Sequence, residues 1–153
     1  MSKLKYRRAN SNDLVAIVTL LINDSLGKDR ECLTQELDSR YLEAFKKIDA
    51  DPNQYLMIVE IDNVIVGTCH TSLLHSLTFK GSTRLQIEAV RIKDEYRGQG
   101  IGEHMISEAI RHGKINGASI IQLTTNKERS DAQRFYERIG FKATHAGMKL
   151  YLD

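Results

Sequence analysis

The chain has 153 residues, 41% of them hydrophobic and 27% charged, close to the globular average and far from a disordered composition. That length fits one folded domain over residues 1–153, which can bury about two-thirds of its unfolded surface without a disulfide or a metal. A balance of 22 basic against 20 acidic residues leaves +2, which excludes the strong basic field of a dedicated nucleic-acid binder and a polybasic membrane anchor.

The first strand is predicted over Leu4 to Ala9. The polar, basic residues Met1 to Arg8 lead straight into it, no apolar signal region follows, and no stretch approaches the ~20 apolar residues of a membrane span. A soluble, cytoplasmic protein is the expectation. Asn10-Ser11 offers an N-cap for a helix with Leu14, Ile17, Val18, Leu21 and Ile22 on its apolar face. After a charged turn, Gly27 to Glu31, a second helix is predicted from Leu33, Leu37, Tyr41, Ala44, Phe45 and Ile48 at helical spacing. Asp51-Pro52-Asn53 breaks the chain there.

A strand over Tyr55 to Ile61, a hairpin turn at Asp62-Asn63 and a strand over Val64 to Leu74 follow. Cys32 and Cys69 have no metal-like spacing and are expected to be reduced thiols. Beyond the loop at Lys80-Gly81-Ser82 the pattern becomes strand (Arg84 to Lys93), helix (about Gly100 to Asn116), strand (Ser119 to Thr125), helix. Ser130 and Gln133 have capping-box spacing at the start of that last helix, and Gly140-Phe141 fits a Schellman end. Lys142 to Thr144 and Met148 to Leu152 are predicted to close the chain as strands. An antiparallel first half joined to a strand–helix–strand crossover predicts an α/β (α+β) architecture. Its central sheet is mixed and mostly antiparallel, with six to seven strands and helices on both faces.

The most informative stretch runs from Val90 to Gly102, between a strand and a helix. Gly98, Gly100 and Gly102 let the backbone turn tightly and come close to a ligand. The helix that opens there leaves its first N–H groups unpaired, with a dipole that favours negative charge. Together these make a cradle for phosphate or pyrophosphate. A Walker ending is missing from Gly100-Ile101-Gly102, and Glu103 stands where the dinucleotide pattern needs glycine.

Arg97, Gly100 and Gly102, with Asn126, Ala132, Phe135-Tyr136 and Gly140-Phe141 downstream, resemble the GCN5-related N-acetyltransferases (GNAT) over about Arg84 to Phe141. The resemblance implies a GNAT-like fold and acetyl-CoA as cosubstrate, with no metal. The turn from Arg97 through Gly98, Gln99, Gly100, Ile101 and Gly102 would hold the pyrophosphate. Backbone groups at Val90 and Ile92 would pair with the pantetheine arm where two parallel strands splay apart. Asn126 would hydrogen-bond the coenzyme or an ordered water, or serve simply as turn chemistry.

Amine acetylation needs a base, because a lysine-like amine has a pKa of ~10.4, and it needs help for the departing thiolate. Glu88, inside the apolar run Leu85 to Val90, is the candidate base, since desolvation would raise its pKa. Some relatives carry a glutamate here that acts directly or through a water; the alternatives are a structural glutamate paired with Arg84 or Arg91, or one that only binds substrate. Tyr136 is the candidate acid, with core packing as its alternative. Arg129 and Arg134 read as a solvated helix face, with a contact to the coenzyme's 3′-phosphate as the alternative, and His104 and His112 as surface residues. His70 and His75 read as too isolated for a metal cluster, and His145 as a hairpin residue, with a place in the acceptor site as its alternative.

The expected function is transfer of an acetyl group from acetyl-CoA to a primary amine of a small molecule or peptide. A non-catalytic acyl-CoA-binding or regulatory module is the alternative. No nucleic acid or membrane partner is expected, and dimerisation through sheet edges or the C-terminal strands, common in the family, stays open. The acceptor is not written in the mixed charges of Asn23 to Asp51 or in the loop Ser76 to Thr83.

Overall fold

The computed structural model describes residues 3–24, 26–32 and 36–153, so the expected helical position Leu33 lies outside the described residues. The chain divides into two compact units, residues 1–122 and 123–153, each described by itself. In chain order the elements are β1 (Leu4–Arg8), α1 (Leu14–Ile22), α2 (Ser39–Ala50), β2 (Gln54–Ile61), β3 (Val64–His75), a single helical turn α3 (Thr78–Gly81), β4 (Thr83–Ile92), α4 (Ile101–Ile115), β5 (Ala118–Leu123) and α5 (Ser130–Arg138).

The sheet runs β1-β2-β3-β4-β5. The first four strands are antiparallel neighbours, and β5 is reached by the α4 crossover, which makes the sheet mixed. It has five strands, not six to seven. The segments Lys142–Thr144 and Met148–Leu152 carry no strand. Alternation in Met148-Lys149-Leu150-Tyr151-Leu152 suits a strand, yet a strand exists only where a ladder pairs it, and Met148 and Leu150 stay exposed.

Local signals account for the hairpin and the helix entry. Asp62 and Asn63 both take left-handed φ (50° and 64°), as a tight hairpin turn requires. Asn10 caps a 3-10 turn at Ser11–Asp13 rather than α1 directly: its side chain accepts from Asn12 N at 2.9 Å, and Asp13 Oδ2 accepts from Asn10 N at 2.7 Å. Arg7 then joins Asp13 (2.7 Å) to Glu60 (2.9 Å), and its guanidinium holds the Asp13 carboxyl below the usual range.

Alternate strand residues face opposite sides of the sheet. Leu56 and Ile58 pack with Ala9, Leu14, Ile17 and Phe45 under α1 and α2. On the other side α4 lies very close, and glycine makes the approach possible. A Cβ on Gly113 would stand 2.9 Å from Leu85 Cδ2, and one on Gly67 2.8 Å from Ile92 Cδ1 and 3.6 Å from Met105 Sδ. Cys69 is fully buried and its thiol is pushed up to about 12 by desolvation; it and the exposed Cys32 are both free. No helix among the described residues is long and apolar enough to cross a membrane.

Candidate active site

The geometry starts from an irregularity in β4. Thr68 pairs with Arg91 and His70 with Glu88, so β4 spends one residue more than β3 over that stretch. The surplus is taken up at Ala89, whose φ of 53° is left-handed, an uncommon state for a side-chain-bearing residue and one that stores strain. A bulge shifts the in/out phase of everything after it. Glu88 shares its face with Leu56 and His70, whereas beyond the bulge Arg91 takes that face and Ile92 turns toward α4. Arg91 thereby meets Asp24, just past α1, at 3.3 Å, both side chains nearly buried, and its Nη1 donates to Val90 O at 2.8 Å.

Ile92 leads into a 3-10 turn at Asp94–Tyr96 and then the glycines. Gly98 and Gly100 have φ of 74° and 80°, and a Cβ at either would meet nothing within 4 Å. They are glycine because of their dihedrals, and the space over the turn is open. Gly100 is the N-cap of α4 and no side chain caps that helix, so its first N–H groups point out of the turn. Ile101 is buried and anchors the helix start; Gly102 is half-buried. Two side chains brace the loop on itself. Arg97 donates from Nε to Ile92 O (3.2 Å) and pairs with Asp94 (3.1 Å), and Gln99 donates to Glu95 O (3.3 Å). Donors, dipole and free space fit a diphosphate.

Glu88 departs from expectation. Its side chain is 56% exposed, so the desolvated carboxylate anticipated from the run Leu85 to Val90 is absent. Leu85 and Ile87 take the buried side of β4 and Glu88 the other. Arg84 donates to Ser76 Oγ and Thr78 Oγ1, and Arg91 pairs with Asp24. The neighbour of Glu88 is His70, with Nδ1 3.8 Å from Glu88 Oε1. The ring is mostly buried, and its other nitrogen, Nε2, lies 2.7 Å from Gln54 Oε1; Gln54 in turn donates from Nε2 to Asp51 Oδ2 at 3.0 Å. Burial lowers the His70 pKa below its ordinary value, opposed by the Glu88 charge.

The second unit holds Tyr136 and Asn126. Ser130 is the first residue of α5, not its cap; Arg129 occupies that position and makes no side-chain cap. The helix end agrees with the sequence. Phe141 N donates to Tyr136 O (3.0 Å), Gly140 N donates to Glu137 O (3.1 Å), and Gly140 has φ 107°. Tyr136 is half-buried and sits edge-on between Phe135 and Phe141, with centroids 5.1 and 5.7 Å away. Asn126 accepts from Glu128 N at 2.9 Å, which is turn chemistry. Arg134 pairs with Asp131 on the exposed helix face, and His145 pairs with Thr144.

Among the other histidines, His104 is exposed as expected, and His112 is half-buried. It stacks on Tyr55 at 4.4 Å, and burial lowers its pKa. No group of three metal-ligating side chains occurs among the described residues. Sequence reasoning missed Gln54, Asp51 and the placement of His70 opposite Glu88. The Asp62-Asn63 hairpin signals which strands pair, but only their register shows these partners.

Residues 14–141 match the acetyltransferase (GNAT) family model. An aminoalkylphosphonate N-acetyltransferase of Salmonella typhimurium is 28% identical over 95% of this chain and 89% of its own. A solved structure from Bacillus halodurans, described as a transcriptional regulator, is 41% identical with a TM-score of 0.95, covering 98% of this chain and all of that one. An aminoglycoside N-acetyltransferase in complex with CoA shares the fold, with a TM-score of 0.80 at 18% identity over 99% of this chain and 96% of that one.

Proposed function

The chain belongs to the GNAT acetyltransferase family and is an N-acetyltransferase, and from that premise we propose that it moves the acetyl group of acetyl-CoA directly to the primary amine of a small molecule. The observation that carries the reading is the strained bulge at Ala89, directly beside Glu88 and on the strand that runs into an open, uncapped glycine turn. In this reading the amides of Arg97, Gly98, Gln99, Gly100, Ile101 and Gly102 hold the diphosphate, with Arg97 and Gln99 keeping the turn in shape. Val90 and Ile92 offer backbone groups to the pantetheine arm, and the Val90 N–H polarises the thioester carbonyl. Acetyl-CoA supplies the activated thioester.

Glu88 assists removal of the amine's proton, Tyr136 protonates the departing thiolate, and Asn126 holds its turn and a hydrogen bond to the coenzyme. A small-molecule acceptor is favoured over a peptide because the Salmonella relative, aligned along nearly the whole chain, is named for one. The chain acts in this reading as one catalytic domain in the cytoplasm.

Incubation with acetyl-CoA and a panel of primary amines, aminoalkylphosphonates included, should release free thiol. Tyr136→Phe should lower turnover ~10- to 1000-fold with little change in coenzyme affinity. An unchanged rate would remove the acid role. The description of the Bacillus halodurans structure favours a second reading, a regulatory module that binds acyl-CoA without turnover. Coenzyme binding with no thiol release across the whole panel would select it.

A further inference from the structure

We propose that His70, not the Glu88 carboxylate, takes the proton from the acceptor's ammonium group, with Gln54 and Asp51 setting its tautomer and Glu88 holding the ammonium in front of it. The inference rests on the acetyl-transfer reading above and refines the part Glu88 plays in it.

The tautomer follows from one chain of hydrogen bonds. The ionised Asp51 carboxylate can only accept, so the Gln54 group facing it at 3.0 Å is the amide NH2, and Asp51 is held below the usual carboxylate range by that bond. Gln54 Oε1 therefore points at His70, and at 2.7 Å the ring must answer with a donor, Nε2–H. In the neutral ring Nδ1 is then left with its lone pair, aimed at a carboxylate oxygen 3.8 Å away.

Two acceptors facing each other across that gap call for a group with several donors. A nitrogen at about 2.9 Å from both closes a triangle with that 3.8 Å side, and a primary ammonium has the protons to fill it. The site also divides the labour by position. The ring is 15% exposed and forms the floor, whereas Glu88 is 56% exposed and reaches the solvent edge, directly before the bulge at Ala89.

The charged group acting on the ring is Glu88 from β4. From β2 it meets Gln54, with Asp51 behind it, and Leu56 is its register partner. Burial keeps the resting ring neutral, the form that can accept.

The step balances within these groups. One N–H bond of the ammonium breaks, its electron pair stays on the substrate nitrogen, and the proton bonds to Nδ1. The imidazolium keeps its Nε2–H bond to Gln54, and its charge faces the Glu88 carboxylate 3.8 Å away, an attraction where two acceptors had stood. The freed lone pair bonds to the acetyl carbonyl carbon as the C=O π pair moves onto oxygen. Return of that pair breaks the C–S bond, and the thiolate takes the Tyr136 proton, which water restores. The proton on Nδ1 and the second proton of the acylated nitrogen leave to water past exposed Glu88.

The test combines nitrogen-15 spectra of labelled histidine with kinetics on the best amine of the panel. The full-length protein should show His70 protonated at Nε2 and bare at Nδ1 above its pKa, and methylammonium chloride should shift the Nδ1 resonance. The kcat/KM profile should rise through an inflection below 6.5. Glu88→Gln, which removes a charge that raises this pKa, should move the inflection lower still. His70→Gln should abolish the inflection and lower kcat about 100-fold or more, with KM for acetyl-CoA unchanged. Gln54→Leu, which frees the tautomer without touching the ring, should cost several-fold.

A resting ring protonated at Nδ1 overturns the proposal. So does a His70→Gln enzyme that keeps the wild-type rate and inflection, and that result leaves the acetyltransferase reading standing. A protein that binds acetyl-CoA but acetylates no amine sinks that reading, and the base role falls with it.

Discussion

The two halves of β4 are one strand in sequence and two different objects in space. Up to Glu88 the register with β3 is regular, and Leu85 and Ile87 are 0% and 1% exposed. From Ala89 onward the strand is bulged and its phase inverted, and it runs into a turn with two left-handed glycines. The first half is packed backbone, held by the close approach of α4 at Gly113. The second is only partly buried, and in the proposed function it is the half that offers its backbone to the coenzyme. In that reading packing and coenzyme binding divide along a single element, and the strain at Ala89 sits at the boundary.

The division predicts opposite consequences for substitutions a few residues apart. Leu85→Ala removes a fully buried side chain and should cost about 2–5 kcal/mol in urea unfolding, while the folded fraction keeps its acetyl-CoA affinity. A parallel loss of affinity in that fraction would break the division. Gly100→Val forces a branched side chain into φ 80°, at a strain of roughly 1–2 kcal/mol, and should weaken acetyl-CoA binding about tenfold or more in a calorimetric titration. Loss of stability alone, with binding intact, would show that the turn does not hold the coenzyme.

Ala89→Gly should have a smaller and inverted effect. Relief of the left-handed strain, less the entropy of a glycine, should raise stability by about 0.5–1 kcal/mol, and turnover should fall as the bulge loosens. Equal turnover would mean that the strain serves nothing. The mildest effect is the pH displacement in Glu88→Gln. Because the carboxylate raises the His70 pKa against burial, its removal lowers that pKa, and the acid limb of kcat/KM moves to lower pH. A displacement to higher pH would place the titrating group elsewhere.

Much of this was legible in residues whose neighbours in sequence decide their conformation. Asp62-Asn63 and Gly140-Phe141 announced a hairpin and a Schellman end because the left-handed dihedrals they need are local properties. The glycine turn was legible for the same reason. The terminal strands were misread because alternation states only which face a residue would take if a partner existed. The glutamate was expected to be buried because the apolar run was taken as a single environment, whereas period two sets Leu85 and Ile87 on the face opposite Glu88. The stacking of Tyr55 on half-buried His112 was not legible, because a helix pattern cannot show a partner on β2.

By itself the sequence determined the order of the elements, the cradle of amides at residues 97–102 and the residue types able to move a proton. Each of these depends on dihedrals and periodicities within a few positions. Only the tertiary structure decided that β4 slips by one residue at Ala89. It also decided that His70 faces Glu88 from a neighbouring strand, and that Asp51 reads through Gln54 onto one nitrogen of the ring. Those are matters of register between segments 16 and more residues apart, and hydrogen-bond geometry across strands has no trace in local composition.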